Sequence, residues 1–139
     1  ANRRTLQDLC AYAKATPQNG GTVLDVPWIR TKLADLWVET EASRWLSYRV
    51  AGMQQRGLVP NYEASIVKVL ATESSQRIYN FGTKVLGPYG QLTGDSAFVR
   101  LKGRMEGGYR SAVAPTIYSG SNEIQRNVIA TRGLGLPRD

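Results

Sequence analysis

The sequence predicts an all-α fold: an up-down four-helix bundle with a short final C-terminal helix. Three observations lead there. Apolar residues recur at three- and four-residue spacing over long stretches. Prolines and glycines punctuate the ends of those stretches. No segment alternates apolar and polar residues as a half-buried strand would, and no internal repeat is visible. At 139 residues the chain suits a single helical domain over 1–139, large enough to bury a core without staples.

A first helix is expected over residues 3–14, where Leu6, Leu9, Cys10 and Ala13 share one face, although no obvious cap precedes it. The segment TPQNGGTVLDVP then carries loop signals at Pro17, Asn19, Gly20 and Gly21. Pro27 opens the strongest helix, since a first-turn proline lacks only an N–H that would have no partner there, and Asp25 or Val26 falls near the cap. Ile29, Leu33, Leu36 and Trp37 line one face; Ala42, Trp45, Leu46, Val50 and Met53 carry it on with drift until Gly57 and Pro60. Roughly 30 helical residues make a rod of about 45 Å, which wants parallel or antiparallel neighbours.

A third helix is expected over residues 62–86, with Ile66, Val69, Leu70, Ile78 and Val85 as its apolar positions and Ala64 and Ala71 allowing close approach. Residues 87–98 read as a glycine-rich loop. The fourth helix, over 102–113, is expected to be interrupted by Gly107 and Gly108 and ended by Pro115. In the last helix Ser121 serves as cap and Glu123 complements the dipole from the first turn. Arg132 lies in its last turn, Gly133 and Gly135 offer C-terminal caps, and Ile124, Val128 and Ile129 form the expected buried stripe.

Composition bounds the chemistry. Hydrophobic residues make up 42% and charged residues 21%, an ordinary balance for a folded chain. There is no histidine, so histidine triads, histidine metal sites and imidazole proton shuttles are excluded within this chain, and no metal site is expected. Acid–base work would fall to the 11 carboxylates or to a shifted lysine or tyrosine. The single cysteine, Cys10, rules out an internal disulfide and fits a reducing compartment, so a cytoplasmic location is expected. No apolar run approaches the roughly 20 residues that span a bilayer, and no signal-peptide pattern opens the chain. The net charge of +7 suggests an anionic partner, but the basic residues are scattered and no nucleic-acid reading helix stands out, which argues against nucleic acid.

Three stretches carry a family resemblance. IYSGSNEIQRNVIATRGLGLPR, at 117–138, resembles the C-terminal signature of the acyl-CoA dehydrogenases, where a Tyr-Glu-Gly-Thr turn leads into Ile-Gln-Arg and a helix closing on glycines. IRTKLADLWVETEASRWLSYR, at 29–49, is similar to that family's long helix, and GTKVLGPYGQL, at 82–92, resembles the glycine-rich loop after the next one. The resemblance covers nearly the whole chain, and its terminal part is the most specific. It implies the C-terminal four-helix domain of a flavoprotein that oxidises the Cα–Cβ bond of acyl-CoA thioesters. Family members also carry a helical N-terminal domain and a middle β-domain, both missing here, so the chain is expected to be a domain excised from a longer protein.

The resemblance implies FAD and acyl-CoA as the partners of the longer protein. It implies no bound cofactor and no activity for the isolated chain, and self-association into a homo-oligomer. In many members the glutamate before the glycine of the turn is the base that removes the Cα proton. Ser119 occupies that place, and a serine hydroxyl accepts no proton usefully near neutrality without a partner base. Gly120 lets the chain pass close to a bulky ligand, and Ser121 and Glu123 match family positions that contact flavin, or act only as cap and dipole partner. Lys84 replaces a flavin-contacting glutamine and either pairs with a phosphate or is solvated. Pro88 replaces a glycine, and Thr16 stands where the family often has a pyrophosphate-binding arginine. The alternative is a non-catalytic helical subunit that pairs with a base-bearing relative in a mixed oligomer. Glu39, Glu41 and Glu106 are read as structural, the first two on a helix exterior, and Trp28, Trp37 and Trp45 as packing or interface residues.

Overall fold

In a computed structural model describing residues 1–138, helices carry almost all of the regular structure. They are α1 Asn2–Ala15, α2 Pro27–Gln55, α3 Tyr62–Leu86, α4 Arg104–Ser111 and α5 Asn122–Val128, the last running into a π-helical turn, Ile129–Gly133. All-α is the observed class. Periodicity and caps set these bounds: Pro27 occupies the first turn of α2 after Val26 as cap, and Gly87, at φ 57°, ends α3.

Between α1 and α2 the chain does something the loop reading missed. Pro17–Gln18 and Gly21–Thr22, strands β1 and β2, pair antiparallel around Asn19 and Gly20, whose φ values are 47° and 81°. Two consecutive positive-φ residues give the two-residue turn that matches the right-handed twist of a hairpin, and Asn-Gly suits it best. Beyond β2 the Asp25 carboxylate accepts from both the N–H and the hydroxyl of Thr22 at 2.8 Å each. That closed box sets the angle at which Pro27 starts α2.

α3 is the centre of the bundle, packing against α1, α2, α4 and α5. It runs antiparallel to α2: Trp28 meets Phe81 edge-on at 5.8 Å, while Glu39, further along α2, meets Ser74 and Arg77, earlier along α3. α1 closes the same core, with Asn2 Nδ2 donating to Ala71 O and Arg3 lying 3.3 Å from Glu41. The shared core comprises Leu6, Leu9, Ala13, Val23, Ile29, Leu33, Leu36, Ile78, Phe81, Leu86 and Met105. Burying each large aliphatic side chain contributes about 1.5–3 kcal/mol.

Several expectations are corrected. α4 runs unbroken through Gly107 and Gly108, and at 108 the missing Cβ is what lets the Tyr79 ring sit against the helix. The stripe expected on α5 is not a buried one: Ile124 is 55% exposed and Val128 and Ile129 are only half-buried, while Asn122, 2% exposed, faces inward. The fully buried positions of α2, Ile29, Leu33, Leu36 and Thr40, fall in its first half; in its second half Leu46, Val50 and Met53 are half-buried and Trp45 is 65% exposed. Glu39 and Glu41 are half-buried and ion-paired rather than on an open exterior. Among the described residues no helix is long and apolar enough to cross a membrane, and no group of three metal-ligating side chains converges.

Candidate functional site

The turn singled out by the sequence sits between a short 3-10 turn, Ala114–Thr116, and α5. Ile117 and Tyr118 both direct their N–H groups to Ala114 O, at 3.0 and 3.2 Å. The chain then reverses through two left-handed residues, Ser119 at φ 57° and Gly120 at φ 82°. For glycine that conformation is free, whereas for serine it costs roughly 1–2 kcal/mol, so the surroundings must hold it. At Gly120 a Cβ would also lie 2.6 Å from Gln125 Nε2. Ser121 then caps α5 by accepting the Ile124 N–H at 3.4 Å.

What holds the turn comes from α3. Lys68 Nζ donates to Gly120 O at 2.7 Å and to Asn122 Oδ1 at 2.8 Å. The other end of the Asn122 amide donates to Thr72 Oγ1 and to Glu73 Oε1, each at 3.1 Å. Every polar atom of this buried side chain therefore has a partner, as burial requires. Glu73 also takes Arg126 from α5 at 2.6 Å and lies 3.7 Å from Arg77, which pairs in turn with Glu39 on α2 at 2.9 Å. A continuous polar chain thus ties the turn through α3 to α2. Lys68, Thr72, Glu73 and Asn122 hold the turn, and reading the sequence missed them. Ser65, Lys68 and Thr72 do form a polar stripe at helical spacing along α3, and that was the available signal.

Of the residues singled out, Ser119, Gly120, Ser121 and Glu123 come together on this exposed turn. Lys84 does not: it is exposed in the last turn of α3, about 24 Å beyond Lys68 at ~1.5 Å per residue. There it lines an open groove with Thr83, Gly87, Gly90, Glu106 and Arg110. Thr16 caps the end of α1 by donating to Tyr12 O at 2.7 Å. The Glu123 carboxylate is held below its usual range, chiefly by its own backbone N–H and then by the Ser121 hydroxyl. A depressed carboxylate is a poorer proton acceptor.

Comparison with known proteins places the fold. A family model described as "Acyl-CoA dehydrogenase, C-terminal domain" matches residues 1–134. The chain belongs to the acyl-CoA dehydrogenase family. It is 32% identical to acyl-CoA dehydrogenase FadE26 of Mycobacterium tuberculosis over 96% of this chain and 34% of that one. Among solved structures it resembles the ChsE4-ChsE5 complex of the same organism, with a TM-score of 0.89 and 32% identity over 99% of this chain and 36% of that one. It also resembles the Tcur3481-Tcur3483 steroid ACAD, with a TM-score of 0.88 and 31% identity over 99% and 34%. The chain thus spans about a third of the length of the relatives it matches.

Acyl-CoA dehydrogenases are FAD-dependent flavoproteins that act on acyl-CoA and form oligomers. The side chains on the turn are already engaged with one another, so toward a flavin the turn presents mainly its backbone. At Gly120 the Gln125 amide already fills the space that a Cβ would take, and the Ser121 hydroxyl accepts the Ile124 N–H while its own proton is directed to the Glu123 carboxylate. At the position where the family often has a pyrophosphate-binding arginine, the Thr16 hydroxyl proton is committed to Tyr12 O.

Proposed function

We propose that this domain forms the C-terminal helical wall of the flavin and thioester site in a longer acyl-CoA dehydrogenase-like protein. That protein would oxidise the Cα–Cβ bond of an acyl-CoA. One observation carries the reading: the left-handed Ser119–Gly120 turn, capped at Ser121, in a chain that matches the family's C-terminal domain throughout. FAD, when bound, would accept the hydride equivalent leaving Cβ. Gly120, Ser121 and Glu123 would contact its edge, with Lys84 at a separate phosphate-bearing partner. The backbone N–H at 119 would polarise the thioester carbonyl, a donor role that does not depend on the side chain. Ser119 itself would remove no proton, and the chain by itself would have no dehydrogenase activity. A reducing compartment such as the cytoplasm fits the single free Cys10.

Ser119→Glu in the full-length protein tests this reading. With acyl-CoA and a dye acceptor, the substitution is expected to raise turnover by at least ~10²-fold, the usual scale of a positioned base. Turnover by the unsubstituted protein at or above the level of the Glu variant would refute the assignment of position 119.

A second reading is favoured by Ser119 together with the two-component names of two similar solved structures. In it the chain is part of a non-catalytic subunit assembled with a base-bearing relative. Co-purification with such a relative, and activity present only in the pair, would support it over a homo-oligomer.

A further inference from the structure

We infer that Lys68 and Asn122 are positioning residues that fix the backbone of the Ser119–Gly120 turn. The inference deepens the proposed function and rests on it for its consequence, though not for its geometry. Ser119 holds a left-handed conformation that its Cβ disfavours, and it is exposed, so no packing keeps it there. The restraint comes from outside the turn. Lys68 Nζ grips Gly120 O at 2.7 Å, the carbonyl immediately after the strained residue. The same ammonium holds Asn122 Oδ1 at 2.8 Å, so one cation spans the bend and the first residue of α5.

Asn122 completes the grip from the other side. Its amide is buried at 2% exposure, and its Nδ2 is anchored to Thr72 and Glu73 on α3. A helix near its middle is a stiff mount, whereas at Gly120 O the turn's own segment supplies the weak 3.4 Å contact from Gln125 Nε2. The clamped Gly120 carbonyl and Asn122 side chain lie on either side of Ser121, and only the left-handed Ser119 and Gly120 separate that carbonyl from the Ser119 N–H. Holding the far end of this two-residue bend restrains the direction of the Ser119 N–H, the donor assigned to the thioester carbonyl. Lys68 then acts through the backbone at 119–120 and not by touching the substrate.

The test uses Lys68→Met and Lys68→Arg in the full-length protein, with folding checked by circular dichroism. Hydrogen–deuterium exchange over residues 117–122 reads the clamp itself. Removing a charge-assisted bond is expected to speed exchange there by about 10-fold or more in Lys68→Met, with Lys68→Arg restoring most of the protection. Binding of an acyl-CoA thioester and of an alkyl-CoA thioether, which has no carbonyl, reads the consequence. Lys68→Met should weaken the thioester by about 10-fold and change the thioether by less than about twofold. Unchanged exchange would overturn the clamp, and equal weakening of both ligands would overturn the positioning role. If the unsubstituted protein binds neither ligand, the proposed function fails, while the exchange result still decides the clamp. Should Lys68→Met not fold, Lys68→Gln carries the same comparisons.

Discussion

Gly107 and Gly108 are adjacent in α4, and alanine at each should move stability in opposite directions. Glycine inside a helix costs roughly 0.5–1 kcal/mol relative to alanine, mostly through backbone entropy. At 107 an added Cβ meets nothing within 4 Å, so Gly107→Ala keeps that whole gain. At 108 the same Cβ would lie 2.2 Å from Tyr79 Cδ1 and Cε1 and 2.6 Å from Cγ, far inside the ~3.5–4.0 Å of good carbon contact. Tyr79 packs against the core, so either its ring leaves its place or α4 backs away from α3. Overpacking of this kind costs about 1–3 kcal/mol; less the propensity gain, Gly108→Ala should destabilise by about 0.5–2 kcal/mol. For a chain of this length each kcal/mol moves the thermal midpoint by roughly 3–5 °C. Thermal melts followed by far-UV circular dichroism, with urea titrations beside them, measure both variants. A Gly108→Ala midpoint at or above that of Gly107→Ala would refute the packing argument.

Two further predictions follow from single polar groups. Thr40 is buried with no hydrogen-bond partner for its hydroxyl, so Thr40→Val, which keeps the shape, should leave stability unchanged or raise it by up to about 1 kcal/mol; a clear loss in a urea titration would show a missed partner. The Asp8 carboxyl is held below its usual range chiefly by its hydrogen bond from Arg104. A depressed carboxyl stabilises the fold above its unfolded pKa near ~4 and loses that contribution as pH falls through the folded value. Thermal midpoints should therefore drop below about pH 4, and drop less in Asp8→Asn; identical acid slopes would contradict the assignment.

The parts of the fold legible in the sequence are those set by local chemistry. The expected helix at 62–86 matches α3 at both ends, and Pro27 and Ser121 mark helix starts where they were expected. The Asn19–Gly20 hairpin was equally local and was missed only because its turn signal was read as a plain loop. The terminal turn was legible as a motif, down to the serine at position 119. Its support was not, because Lys68 and Asn122 are 54 residues apart in the sequence and nothing local links them.

Helical periodicity shows that a face is apolar but not whether anything covers it. So the sequence by itself determined where the helices run, where they stop, and that the terminal bend carries no carboxylate at position 119. Only the tertiary structure decided that Ile124 faces solvent while Asn122 is buried, that the fully buried positions of α2 fall in its first half, and that Gly108 exists for a tyrosine on another helix. The physical reason is that capping and backbone strain act within a few residues, whereas burial and hydrogen-bond pairing belong to whichever element packs alongside.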